Sequence, residues 1–168
     1  MYRLNIQSAM RKQNTNRQNR TRGFTLVELM IITAILGILA AIVFPEFQGH
    51  IQRAKETQAK ANLRLLREAI ERYAADHNGI PPGYLNNDPS ATVSASEFYR
   101  QLVVKGKYLN EMPKNPFNGY NGMFICANIV PFPAEADGTS GWIYKPLTKE
   151  IRLNWPDTDS EGKLFYSY

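Results

Sequence analysis

With one cysteine, Cys126, the 168-residue chain has no intramolecular disulfide open to it. Outside the cytoplasm such a domain rests on packing, hydrogen bonds or a metal, and a buried, inert thiol is the expected state of Cys126. Histidine is nearly as scarce. His50 and His77 stand 27 positions apart, and at helical rise that is roughly 40 Å, too far for a shared site. No Cys/His pairing suggests zinc and no nucleophile stands with a base, so the chain is not expected to be an enzyme. Acidic residues are absent from 1–23, which hold Arg3, Arg11, Lys12, Arg17, Arg20 and Arg22. Those six account for the net charge of +5, because beyond Gly23 fourteen basic residues face all 15 acidic ones. A chain cut there carries −1, so its overall charge gives no reason to expect a nucleic-acid partner.

What is present is a nearly unbroken apolar run from Phe24 to Phe44, interrupted only by Thr25, Glu28, Thr33 and Gly37. As a helix it reaches roughly 30 Å, one bilayer crossing. The Asn-, Gln- and Arg-rich stretch before it reads as a disordered leader, with Met10 an alternative start. By the positive-inside rule the leader stays cytoplasmic and the rest of the chain lies outside the inner membrane.

After Pro45 the apolar residues thin to a stripe, Phe47, Ile51, Ala54, Ala61, Leu65, Ala69 and Tyr73, which predicts an amphipathic continuation of the same helix. Four-residue pairs, Glu56 with Lys60, Arg64 with Glu68, Arg67 with Glu71 and Glu68 with Arg72, support its exposed face. Asn78-Gly79 followed by Pro81-Pro82 is the stop signal, giving one helix of roughly fifty residues. Residues 83–94 read as a loop and 95–105 as a short helix burying Phe98, Leu102 and Val103. Met123–Val130, Gly141–Tyr144 and Glu150–Trp155 read as strands, with 145–149 the turn of a hairpin. The fold class is α+β: a long N-terminal helix, half in the membrane, packed on a small antiparallel sheet. Its divisions are a leader at 1–23, a membrane and polymerisation helix at 24–45, an amphipathic helix at 46–79 and a globular part at 80–168.

Gly23-Phe24-Thr25-Leu26-Val27-Glu28 sits directly after the basic leader and opens the apolar run. A secretory signal peptide is instead cut after its apolar core, where Ala40-Ala41 would be the only comparable site. The stretch resembles the class III signal of type IV prepilins and type II secretion pseudopilins. The resemblance extends through Leu29 to Pro45 and, more loosely, to about Pro82. It implies that a membrane prepilin peptidase cuts between Gly23 and Phe24 and methylates the new N-terminus at Phe24. A residue without Cβ at Gly23 suits entry into a tight protease cleft.

Glu28 stands out because a carboxylate in a spanning helix costs about 2.5–3.5 kcal/mol on insertion scales. Cleavage creates an amine on Phe24, and a neighbouring subunit displaced along a filament brings that amine to Glu28, setting register. The other reading is a carboxylate that snorkels to the membrane interface. Thr33, Gly37 and Ala41 recur every four residues, as a helix-packing face does, and ordinary membrane-helix composition explains them as well. Pro45 removes a helical donor and is expected to kink the helix at the outer membrane boundary.

Arg53, Lys60, Arg64 and Arg67 share a helical face, but the acids between them favour a solvated surface over DNA binding. Asp157, Asp159 and Glu161 alternate near the C-terminus and offer oxygens of the kind Ca²⁺ prefers, though an exposed acidic turn has the same pattern. The major pseudopilin of type II secretion holds calcium in a C-terminal loop, which is the precedent for the expectation; no cofactor is required by it. Asn115-Pro116-Phe117-Asn118-Gly119 stands where pseudopilins often carry Asp-Pro-Trp-Gly-Asn-Pro, a partial match. The resemblance implies a structural pseudopilin whose polymerisation, driven by a cytoplasmic ATPase, serves type II secretion. Its partners are identical and related subunits, the prepilin peptidase, the inner-membrane assembly platform and the membrane. The alternatives are a type IV or minor pilin for adhesion, motility or DNA uptake, and a monomeric membrane-anchored domain.

Overall fold

A computed structural model describes residues 23–104 and 107–168, apart from the side chain of Pro45. The leader reading of 1–22 lies outside the described residues. The chain divides into two compact units with the boundary between Ile42 and Val43.

Helix α1 runs over Leu26–Asp76, 51 residues. From Phe24 through Phe44 the side chains are exposed throughout, with no core among the described residues against which to bury. Among the described residues it is the one helix long and apolar enough to cross a membrane. Its end follows the expected stop signal. Asn78 and Gly79 take φ of 55° and 83°, and the Gly79 N–H returns to the Ala74 carbonyl at 2.8 Å, a left-handed cap of the kind that satisfies the last helical carbonyls.

In the second unit α1 buries Ala59, Leu63, Leu66, Ala69, Ile70 and Tyr73. This corrects the expected stripe, which holds only at Ala69 and Tyr73; Leu65 is 46% exposed, and Phe47, Ile51, Ala54 and Ala61 are exposed too. The apolar residues from 59 to 70 permit two overlapping faces, and packing selects the one that carries Leu63, Leu66 and Ile70. That face lies against Phe98 and Leu102, against Trp142, Tyr144, Ile151 and Leu153, and against Phe165. Each large aliphatic buried there contributes about 1.5–3 kcal/mol.

Helix α2 covers Ala95–Tyr99, capped by Ser94, whose hydroxyl accepts the Glu97 N–H, and it continues through a π-helical turn at Arg100–Val104. Strands β1 (Met123–Ile125), β2 (Trp142–Lys145) and β3 (Glu150–Leu153) form a sheet in the order β1-β2-β3. The expected sheet was antiparallel; the observed one is mixed. β2 and β3 form the hairpin, but β1 pairs with β2 in parallel, Met123 opposite Trp142. A parallel pair needs a long crossover rather than a tight turn, and residues 126–141, with Pro131 and Pro133, supply it without strand. The expected first strand therefore stops at Ile125 instead of Val130. The turn of the hairpin is a 3-10 segment, Pro146–Thr148, closed by Lys149 at φ 57°.

Strand alternation divides the sheet faces. Trp142, Tyr144, Ile151 and Leu153 face α1, while Ile143 joins Cys126 and Tyr166 in a second small cluster flanked by Phe132 and Ala136. Cys126 is 3% exposed and desolvation pushes its thiol upward, as expected of an inert one.

Candidate functional site

Residues 23–25 precede the helix in non-helical backbone. A Cβ built on Gly23 meets nothing within 4 Å, so the described residues leave room for a side chain there. Phe24, 72% exposed, stands just ahead of the first helical turn.

Thr25 caps that turn. Its carbonyl accepts the Leu29 N–H at 3.1 Å, and its hydroxyl accepts the Glu28 N–H at 3.1 Å. In return the Glu28 carboxylate accepts the Thr25 N–H at 3.5 Å, a long contact. Thr25-Leu26-Val27-Glu28 is thus a capping box, satisfying two of the donors that a helix start leaves bare. The negative charge also meets the positive end of the helix dipole. Sequence reasoning weighed Glu28 as an assembly residue or a snorkelling one and missed this local use. The Ser/Thr-x-x-Glu spacing was the signal. Thr33 turns its hydroxyl back to the Met30 carbonyl at 3.0 Å, and a Cβ on Gly37 would meet open space. Helix α1 includes Pro45 within its bounds.

Three of the four basic residues considered for DNA have other contacts. Arg64 pairs with Glu68 at 2.9 Å, Arg67 donates to the carbonyls of Ile151 and Tyr168, and Lys60 lies 4.7 Å from the Tyr168 ring centroid. Two expected pairs along the helix are replaced by distant ones. Glu71 binds Lys149 at 2.9 Å. Glu56, expected on the exposed face beside Lys60, is 6% exposed and accepts from Gln52 and Ser160.

The three candidate calcium ligands do not converge. Asp157 accepts the N–H of Thr158. Asp159 is buried and engaged through both oxygens: one accepts the N–H groups of Glu161 and Lys163 at 2.9 and 2.8 Å, the other the hydroxyl of Tyr168. Those bonds, Tyr168 first, hold its carboxyl below the usual carboxylate range. Glu161 points to solvent as an exposed residue. Among the described residues no group of three or more His, Cys, Asp or Glu stands ready for a metal, so the residues present do not fit a calcium site built from these acids.

Residues 115–119 organise the centre of the second unit. Asn115 is fully buried; its amide donates to the Gly141 carbonyl at 3.2 Å and its carbonyl oxygen accepts the Phe117 N–H at 3.0 Å. Asn118 reaches the carbonyls of Gly138 and Ser140. From the other side, Asn154 accepts the N–H groups of Asp137 and Gly138 and donates to Asp137 and Ser140. The three asparagines thereby anchor the end of the crossover that brings β2 alongside β1.

The prokaryotic N-terminal methylation motif matches residues 18–44. Type II secretion system core protein G of Aeromonas hydrophila is 32% identical over 134 residues, 74% of this chain and 89% of that protein. This chain belongs to the core protein G family. Core protein G of Klebsiella pneumoniae is 29% identical over 133 residues, covering 73% of this chain and 95% of its own length. The type IV major pilin protein PilE of Neisseria gonorrhoeae is 38% identical over 91 residues, but these span 54% of this chain and 49% of the pilin. No solved structure gives a significant match. The similarity to core protein G thus reaches well past α1, whereas about half of the pilin is left unmatched.

Proposed function

We propose that this chain is a structural pseudopilin that polymerises through α1 into a periplasmic pseudopilus serving type II protein secretion. The carrying observation is the reach of the similarity, 89% and 95% of two core proteins G against 49% of a type IV pilin. Other relatives are pilins or fimbrial proteins by name, which agrees with a structural role. The exposed apolar stretch of α1 up to Phe44 supports the same reading, since such a surface is stable only in a bilayer or against other helices.

In this reading a prepilin peptidase cuts between Gly23 and Phe24 and Phe24 becomes the methylated N-terminus. Because a side chain at position 23 would meet nothing among the described residues, the requirement is assigned to the cleft of the peptidase. The charged amine of Phe24 then pairs with Glu28 of an adjacent subunit, offsetting the cost of each charge in hydrocarbon. Pro45, lacking an N–H, is the point at which the helix bends or loosens as subunits pack. The leader faces the cytoplasm, the second unit faces the periplasm, and the inner-membrane platform with its ATPase drives assembly.

Deleting the gene tests the system served. The reading predicts loss of extracellular secreted enzymes with surface pili intact, restored by the wild-type gene. Loss of pili or DNA uptake with normal secretion would assign the chain to a type IV pilus instead.

A further inference from the structure

The C-terminal residues 157–168 form a loop closed almost entirely by its own main chain. The Asp159 N–H donates to the Lys163 carbonyl at 2.8 Å, Gly162 to Asp159 at 3.0 Å and Phe165 to Asp157 at 3.0 Å. Thr158 and Leu164 bridge across it. The Asp159 carboxylate fills its inside by accepting two further N–H groups and the Tyr168 hydroxyl.

Helix α1 fastens this loop from outside. The buried carboxylate of Glu56 accepts the Ser160 N–H and the Ser160 hydroxyl, both at 2.9 Å, across 104 residues of chain. Gln52 supplies its third donor at 3.2 Å. About three helical turns further on, Arg67 donates to the Tyr168 carbonyl. Two ammonium groups, Lys60 and Lys163, sit 4.7 and 5.2 Å from the Tyr168 ring centroid. The carboxylates of Glu56 and Asp159 thus each already accept from three N–H and O–H donors, and the ammonium groups of Lys60 and Lys163 stand close by. A Ca²⁺ site needs six to eight oxygen ligands; here these two carboxylates point at donors instead.

We propose that this loop closes on protein donors and acceptors alone, with Glu56 as its anchor, so that folding of the second unit needs no divalent cation. The family precedent of calcium in a C-terminal loop does not extend to these residues. Where a cation stabilises a loop by being bound only in the folded state, here a carboxylate of α1 does so through charge-assisted hydrogen bonds.

The test uses the full chain in detergent, melted in excess EDTA and in millimolar CaCl₂, with limited proteolysis of 157–168 under both conditions. The proposal expects melting temperatures that agree within about 1 °C and the same cleavage pattern, because a ligand without a site adds nothing. A rise of several degrees with calcium, or cleavage of the loop only in EDTA, would overturn it. Glu56→Ala is expected to lower the melting temperature by roughly 3–8 °C and to speed cleavage within the loop, with no rescue by calcium. Melting and cleavage like the wild type would remove Glu56 as the anchor. Ser160→Ala, which deletes one hydroxyl, gives the same comparison in milder form should the first variant not accumulate.

Discussion

Thr25 and Glu28 hold each other at the start of α1, hydroxyl to N–H at 3.1 Å and carboxylate to N–H at 3.5 Å. The proposed assembly role asks the same carboxylate to meet an amine on another subunit. The longer bond is the one it would give up, so the exchange costs little. Thr25→Val, which removes the capping hydroxyl, is expected to cost about 1 kcal/mol at the helix start and to reduce filament yield only modestly. Glu28→Gln keeps a capping side chain but loses the charge, and is expected to cut filament yield at least about tenfold, equivalent to 1.4 kcal/mol or more. Both are measured by sheared-filament assay against total processed subunit. Equal, small losses would reduce Glu28 to a cap.

The buried face of α1 separates two leucines two positions apart. Leu63→Ala opens a cavity in the core and is expected to cost about 2–5 kcal/mol in chemical denaturation. Leu65→Ala, on a side chain 46% exposed, is expected to cost under about 1 kcal/mol in the isolated chain. A larger effect at Leu65 would restore the face predicted from spacing.

That face shows where sequence reading succeeds and where it stops. The span of α1 and its stop were legible because a long apolar period and Asn78-Gly79 are local signals that depend on no partner. The N-terminal methylation motif was legible for the same reason. Which of two overlapping stripes is buried depends on Phe98, Trp142 and Ile151 arriving from far along the chain, and spacing alone carries no record of them. The parallel pairing of β1 was hidden likewise, because its cause is a crossover through 126–141 rather than a turn signal. Glu56 looked like one half of a surface pair with Lys60; its partner at Ser160 is a contact that no helical periodicity encodes.

Gly141 immediately precedes β2, in a place with no room. A Cβ there would lie 2.3 Å from the Tyr120 carbonyl oxygen and 3.0 Å from its carbon. Both are backbone atoms, so the main chain itself has to move. Gly141→Ala is expected to destabilise by about 1–3 kcal/mol or more, read as a lower denaturant midpoint. The same substitution at Gly119 is limited by its φ of 76° alone.

Acid should weaken the second unit through its carboxylates. Asp159 is held below its ordinary value of 3.8 by Tyr168 first and then by main-chain donors, and Asp137 by Thr139 and Asn154. A group with a depressed folded pKa adds stability that is complete above its unfolded value and is lost as pH falls through the folded one. The melting temperature is therefore expected to be flat with respect to these two groups above about pH 5 and to fall below about pH 4. Asp159→Asn should flatten part of that fall. An unchanged acid profile in this variant would contradict the assignment.

The central claim is that this chain is a precursor processed for polymerisation, and the N-terminal mass of the protein recovered from membranes tests it most directly. With the prepilin peptidase present, the account predicts a chain that begins at methylated Phe24; without it, a chain that keeps the leader. An intact leader in both samples would contradict the account and leave a membrane-anchored domain.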